Sequence, residues 1–253
     1  MRPAKLALLL GVLGSLAAAV PAMAEEEALP KQTWSFSGLF GTFDRAAAQR
    51  GFEVYLNVCS NCHSMKQAYY RNLSGIGLSE EQIKAIAAGV TVPSIGDDGQ
   101  PAERPATPAD HFRSPYPNEK AARAALNGAL PPDLSVITKA REGGSDYVYD
   151  LLTGYSDPPA DMKMGDGMYY DKWFPGHQIA MPQPLHDDTV EYTDGTKATA
   201  DQEAHDVATF LEYIANPEME QRKRTGVKVV LFLLLLTGVT YAVKRQIWSD
   251  VDH

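Results

Sequence analysis

The chain has two cysteines in 253 residues, and both lie in the run Cys59-Ser60-Asn61-Cys62-His63. No other feature constrains the fold as strongly. C-x-x-C-H is the attachment signature of a c-type haem: each thiol adds across one porphyrin vinyl group, and the histidine supplies an axial nitrogen to the iron. A chain built this way folds around a large apolar plate. Three other readings are weaker. A zinc site needs two more ligands at similar spacing, and no second cysteine pair exists. A thioredoxin-like redox pair does not need His63 and belongs in a βαβ context that the flanking pattern lacks. A disulfide across so short a spacing would close a very small loop and stabilise little. The motif predicts one covalently attached haem c.

Residues 1–24 read as a secretory signal. Arg2 and Lys5 make a positive start, residues 6–20 an apolar stretch, and Ala22-Met23-Ala24 an A-x-A cleavage site. The expected organisation is then a signal peptide over 1–24 and an exported haem c domain over 25–221. A second apolar run, 226–243, is flanked by Arg222-Lys223-Arg224 and by Lys244-Arg245. A bilayer span needs about 20 apolar residues, with about 17 as the lower end. Lys228 just inside the run can snorkel to headgroups, and Tyr241 and Trp248 suit the opposite interface. The expectation is a single-pass membrane anchor over 222–245 and a short cytoplasmic tail over 246–253.

Orientation sets two signals against each other. More basic residues precede the span than follow it, which by the positive-inside rule would put the large domain in the cytoplasm. The export signal and the haem motif point outward, because a cleaved leader commits the N-terminal domain before the last helix emerges. The expected place is the bacterial inner membrane with the haem domain on the periplasmic side, and the basic cluster is left to meet lipid phosphates or a partner.

Losing Arg2 and Lys5 with the leader takes the formal charge from −9 to −11. An acidic exported domain repels nucleic acid phosphates, so no nucleic acid partner is expected. A basic protein partner, steered by long-range attraction, suits it better. The roughly 200 residues between leader and anchor suffice for one core without disulfides.

Periodicity places a helix before the cysteines, with Asp44 as N-cap and Ala47, Ala48, Gly51, Phe52, Tyr55 and Leu56 near helical spacing. A second helix runs over 200–215, where Thr199 and Gln202 make a T-x-x-Q capping box and Ala204, Val207, Ala208, Leu211 and Ile214 form one stripe. These two helices are expected to cross and close one edge of the haem pocket. Between them lies a proline- and glycine-rich middle with short helices over 118–128 and 134–141. Asp194-Gly195 is read as a hairpin turn. The fold class is mainly α: a cytochrome c-like haem domain with long loop-rich insertions, plus one C-terminal transmembrane helix. The haem is expected to stand in for much of a conventional core.

The residue on the other face of the iron decides the chemistry. Methionine raises the potential and marks electron carriers, a second histidine lowers it, and an open site suits gas or peroxide chemistry. Met65 lies too near His63, Met219 belongs at the membrane surface, and Met162, Met164 and Met168 sit in a polar stretch that reads as solvent-exposed. Met181, in Ile179-Ala180-Met181-Pro182, has an apolar approach and a proline that stiffens its loop. A core methionine looks the same, and His111, His177 and His186 stay open as histidine ligands. The rival class is a haem enzyme or sensor with an open sixth position.

Longer runs narrow the family. Tyr116-Pro117-Asn118, Gly128-Ala129-Leu130-Pro131-Pro132-Asp133-Leu134-Ser135, Leu151-Leu152-Thr153-Gly154-Tyr155, Phe174-Pro175-Gly176, Ile179-Ala180-Met181 and the C-terminal span together resemble the cytochrome c1 family. These are the haem-bearing anchor subunits of ubiquinol–cytochrome c reductase, the cytochrome bc1 complex. The resemblance implies thioethers on Cys59 and Cys62, His63 and Met181 as the iron ligands, and a Pro132 carbonyl that accepts the His63 Nδ1 proton. It assigns Arg141 and Tyr147 to a haem propionate and gives Arg123 a propionate or packing role. It implies an electron-transfer subunit without bond-making chemistry of its own. One electron would come from the Rieske iron–sulfur protein and pass to cytochrome c, with cytochrome b as neighbour, membrane lipid around the anchor and a dimeric complex as the assembly. Glu80, Glu81, Asp187, Asp188 and Glu191 would supply a docking face. The chain departs from the family at Leu126, where asparagine is frequent, and at Gln183, which breaks a commonly Ala-Pro or Pro-Pro pair.

Overall fold

The computed structural model describes residues 28–250, so the expected leader over 1–24 lies outside the described residues. The chain is mainly helical. In order it forms α1 (Arg45–Asn57), two 3-10 turns (Cys59–Asn61 and Tyr70–Ile76), α2 (Glu80–Ala88), β1 (Thr91–Ile95) and β2 (Pro101–Pro105). There follow α3 (Glu119–Ala125), α4 (Ile137–Ala140), α5 (Ser145–Thr153), β3 (Tyr169–Tyr170), β4 (Gln178–Ile179), α6 (Ala200–Ala215) and α7 (Met219–Ile247).

Helix α1 starts where Asp44 Oδ1 accepts from the Ala46 and Ala47 amides at 2.9 and 3.1 Å. Helix α6 starts at Thr199, whose Oγ1 accepts from Gln202 N at 3.2 Å. The expected capping box is only half formed, because the Gln202 side chain turns along the helix and donates to Asp206 Oδ2 at 3.0 Å.

The two helices cross closely at Gly51. A Cβ there would stand 2.0 Å from the Asp206 carbonyl oxygen and 2.8 Å from Phe210 Cβ, so only glycine lets the backbones approach. Beside this contact Arg50 forks onto Asp206, with Nε–Oδ2 at 2.8 Å and Nη2–Oδ1 at 3.0 Å, and reaches Asp194 at 3.0 Å. Asp206 is fully buried, and its hydrogen bond raises the Arg50 pKa further above its already high value against the cost of burial. A buried charge tied this way keeps its partner in place.

An apolar core spreads from this crossing. Phe52 and Tyr55 of α1 meet Phe210 of α6 at centroid separations of 5.6 and 5.8 Å, and Phe112 from the middle region packs edge-on against Phe52 and Tyr55. Leu134, Ile137, Val148, Leu185, Val190 and Tyr192 join the same cluster. The long middle is thus pinned by single apolar side chains to a protein core.

Other expectations need revision. Helix α4 spans four residues, half the expected length. At 194–195 there is a turn, with Gly195 N on Tyr192 O at 3.1 Å, but no strand ladder. The reason is that neighbouring amides are spent on side chains: Val190 N donates to Glu203 Oε1 at 2.9 Å and Thr193 N to Glu53 Oε2 at 3.3 Å. Paired strands form elsewhere, as antiparallel β1–β2 and β3–β4. Helix α2 was not expected; Ser79 and Gln82 close a reciprocal capping box there at 3.2 and 2.8 Å.

Helix α7 runs 29 residues, about 43 Å at 1.5 Å per residue, against a hydrocarbon core of about 30 Å. From Lys228 to Asp250 every described residue is exposed, and the helix is long and apolar enough to cross a membrane. Its base is fixed to the domain. Met219 is buried, Glu220 accepts from Phe43 N at 2.9 Å and pairs with Arg45 at 3.0 Å. The N-terminal strap crosses behind, with Trp34 stacked on His205 at 4.6 Å and its Nε1 donating to Asp146 Oδ1 at 2.6 Å.

Gly51→Ala is expected to force α1 and α6 apart and destabilise the domain by about 3 kcal/mol, at the upper end of overpacking costs. Thermal unfolding of the purified protein checks this; an unchanged melting temperature would contradict the close crossing.

Candidate functional site: the Cys59–His63 turn

Helix α1 delivers the motif. It ends with Val58 N on Val54 O at 2.9 Å, and the chain tightens into a 3-10 turn in which Cys62 N and His63 N both bond Cys59 O, at 3.1 and 2.9 Å. The two residues between the cysteines have a local task. Ser60 Oγ donates to Leu56 O at 2.8 Å and Asn61 Nδ2 to Asn57 O at 3.0 Å, satisfying carbonyls that the ending helix would leave open. Cys59 and Cys62 are free of any disulfide and partly buried.

The segment after His63 is clamped by the Pro132–Ser135 stretch at five points. His63 Nδ1 lies 2.8 Å from the Pro132 carbonyl oxygen, and Leu134 N donates to Ser64 O at 2.8 Å. Ser64 Oγ and Lys66 N donate to Asp133 Oδ2 at 2.7 and 2.9 Å, and Gln67 N donates to Ser135 Oγ at 2.9 Å. Partial burial opposes the Asp133 charge, but donors from Ser135, Lys66 and Ser64 hold its carboxyl below the usual carboxylate range.

This geometry sets the imidazole chemistry. A carbonyl oxygen only accepts, so Nδ1 carries the proton and the neutral ring keeps its lone pair on Nε2. Burial lowers the His63 pKa, which the Pro132 bond only partly offsets, so the ring is neutral over a wider pH range than free histidine. An oriented neutral imidazole is a metal ligand in waiting. Burial also pushes the Cys59 thiol up to about 12. A thiolate is disfavoured there, as a zinc ligand or a redox nucleophile would require one; an uncharged thioether sulfur suits the same surroundings. Among the described residues, no group of three or more His, Cys, Asp or Glu side chains converges as for a metal ion.

Met181 is partly buried in a loop held between buried Ile179 and Leu185. Its carbonyl accepts from Tyr155 Oη at 3.0 Å, and burial, with Asp171 nearby, holds the Tyr155 phenol far above its usual range as a permanent donor. Tyr155 is itself bridged to Asp171. Arg141 lies exposed beside buried Tyr147: burial raises the Tyr147 pKa, and the Arg141 charge and hydrogen bond pull it back. Arg123 has a local partner, donating from Nη1 to Gly128 O at 2.9 Å.

The other ligand candidates have their own settings. Met65 is fully buried in the core. Met164 and Met168 are partly buried, against the expectation of exposure, and line a cavity of about 460 Å³ with Tyr155, Tyr169 and Tyr170. His111 packs on the Tyr69 ring at 3.8 Å, His177 lies 5.8 Å from the Tyr170 ring, and His186 is exposed. Among the acidic residues, Glu80 pairs with Lys84 at 2.6 Å, and Asp187 caps α6 through Ala200 N at 3.0 Å.

Sequence reasoning missed Ser64, Asp133, Ser135 and Tyr155. The first three carried a signal, since small hydroxyls and an aspartate beside prolines make side-chain to backbone bonds; Tyr155 stood in one of the runs that carry the resemblance, with nothing local to tie it to Met181.

The class of protein defined here is a mainly helical domain with a C-x-x-C-H turn and one long apolar C-terminal helix that is a candidate membrane span. Residues 34–251 match the Cytochrome C1 family. "Cytochrome c1" of Rhodospirillum rubrum is 48% identical over 242 residues, covering 89% of each chain. "Cytochrome c1, heme protein, mitochondrial" of Saccharomyces cerevisiae is 46% identical over 224 residues, covering 88% of this chain and 72% of its own. "Cytochrome b-c1 complex catalytic subunit, mitochondrial" of Candida albicans is 47% identical over 226 residues, covering 88% and 78%. The chain belongs to the cytochrome c1 family.

Asp133→Asn exchanges an acceptor-only carboxylate for an amide that repels some of its donors. It is expected to cost about 2 kcal/mol, the scale of a hydrogen bond to a charged group. Hydrogen exchange read by mass spectrometry should show faster exchange at the Lys66 and Gln67 amides; unchanged protection would mean that the clamp does not hold the turn.

Proposed function

We propose that this protein is the haem-bearing electron-transfer subunit of a ubiquinol–cytochrome c reductase. In this reading Cys59 and Cys62 would hold haem c covalently, and His63 and Met181 would supply the ligands to its iron. The observation that carries it is the His63 Nδ1 contact with the Pro132 carbonyl, which leaves Nε2 as the one nitrogen available to a metal. The partly buried thiols one turn away and the neutral state of Cys59 support attachment of an uncharged thioether pair.

The bound group supplies a reversible one-electron couple at iron. The protein orients and tunes. Pro132 holds the imidazole plane and raises its basicity. Cys59 and Cys62 would tether the group to the end of α1. Tyr155 holds the Met181 backbone, so the thioether approaches from a fixed loop. Arg141 beside Tyr147 offers a cation and a hydroxyl to a propionate, and Arg123 shapes the loop after α3. Thioether ligation keeps a haem potential high enough to accept from a Rieske centre.

The names of the relatives, which include a subunit of the cytochrome b-c1 complex, support membership of such an assembly. The proposed donor is the Rieske iron–sulfur protein, the acceptor a cytochrome c, and the structural neighbour cytochrome b, in a dimeric complex. The proposed place is the bacterial inner membrane, with 25–221 on the periplasmic side, 222–245 as anchor and 246–253 in the cytoplasm. The acidic surface supports a basic acceptor.

Met181→Leu removes the thioether and leaves both cysteines. Haem is expected to stay attached while its potential falls by on the order of 0.1 V, within the roughly 0.8 V range that axial ligands command. Redox titration and reduction kinetics in the assembled complex check this. A variant with unchanged potential and turnover would refute Met181 as the ligand.

A further inference from the structure

The basic cluster ahead of the span, Arg222, Lys223, Arg224 and Lys228, takes no part in the site above. It borders a groove at the junction of domain and membrane helix. The loop over 37–42 runs beside the first turns of α7 and is tied to it by Lys223 Nζ, which donates to the Phe36 and Gly41 carbonyls at 2.6 and 3.3 Å. Its tip presents Leu39 and Phe40 outward, 61% and 80% exposed. Two large apolar side chains displayed side by side on a soluble surface call for a cover.

Between this tip and α7 opens a cavity of about 350 Å³. Its apolar wall is Leu39, Phe40 and Val227, and its charged rim is Glu220, Lys223, Arg224 and Lys228. Three cations thus face one carboxylate. Glu220 is held by Arg45 at 3.0 Å, while Arg224 stands off at 3.9 Å. The Lys228 side chain makes no hydrogen bond or ion pair among the described residues. The rim carries surplus positive charge aimed at open space.

The depth of the groove identifies its surroundings. Val227 and Lys228 directly precede Val229, where the exposed apolar stretch begins, and adjacent helical residues differ by about 1.5 Å in height. The groove therefore opens where α7 enters hydrocarbon. We infer that it seats an anionic phospholipid, with the phosphate against Arg224 and Lys228 and an acyl chain along Leu39, Phe40 and Val227. A free phosphate would leave the apolar wall bare, and a zwitterionic lipid would leave the surplus charge unmatched. The loop tip is then a second membrane contact that fixes the tilt of the domain on its single helix.

The test uses the full chain, purified within its membrane assembly and studied by native mass spectrometry with phosphatidylglycerol and with phosphatidylcholine of the same acyl chains. The intact protein is expected to retain phosphatidylglycerol about thirtyfold more tightly, the order set by two cations at an anionic surface. The double variant R224Q/K228Q should lose that preference with an unaltered haem spectrum and melting temperature. A photo-reactive phenylalanine analogue at position 40, in nanodiscs of the two lipids, should label lipid, and this arm decides the matter if the double variant fails to fold. Equal retention of both lipids, an undiminished preference in the variant, or labelling of another protein subunit would overturn the inference.

Discussion

The hydrogen bond between the His63 ring and the Pro132 carbonyl joins the two halves of the chain on which the site depends. One side of it is the C-x-x-C-H turn, delivered by α1. The other is a proline-rich stretch far along the sequence that has no regular structure of its own. Rigid backbone at Pro131-Pro132 presents a carbonyl at a fixed place, and Asp133 and Ser135 bind the chain on either side of the contact. The ring is oriented by the main chain of another segment, so its free nitrogen points one way without help from a metal. That is the preorganisation expected around a metal-ligating histidine.

Beneath this contact lies the α1–α6 crossing. Gly51 admits α6 at backbone distance, and Arg50 with buried Asp206 fixes the register of the pair. The height and angle at which α1 hands over Cys59 follow from that packing. The same α6 leads through a short turn into α7, whose base is locked by Glu220 to Arg45 and by Lys223 to the Phe36 carbonyl. Site, crossing and the base of α7 therefore form one connected body, and the orientation of the site relative to α7 is set by the first turns of that helix.

Much of this was legible in the sequence. C-x-x-C-H and the apolar run at 226–243 announce themselves by composition and spacing, and α1 and α6 by a cap followed by a periodic stripe. The boundaries of α6 fall where Thr199 and Pro217 place them, because both signals are local. What was not legible depends on contacts between distant segments. The expected hairpin at 194–195 fails because Glu53, far away in sequence, and Glu203, on the helix that follows, take the amides that a strand partner would have used. The Gln202 amide prefers Asp206 to the helix end because Asp206 is already buried under Arg50. Tyr155 supports Met181 across a gap that no spacing rule covers. The middle region looked coreless because its apolar residues are scattered singly, yet Phe112, Leu134 and Leu185 each reach the same cluster.

The central claim is that His63 and a methionine thioether share one iron. The most direct measurement is the optical spectrum of the purified protein, oxidised and then reduced with dithionite, followed by exposure of the reduced form to carbon monoxide. The account predicts a low-spin c-type spectrum with the weak methionine-to-iron band near the red end in the oxidised state, and no change with carbon monoxide. A missing band together with ready carbon monoxide binding would contradict it and mark an open sixth position.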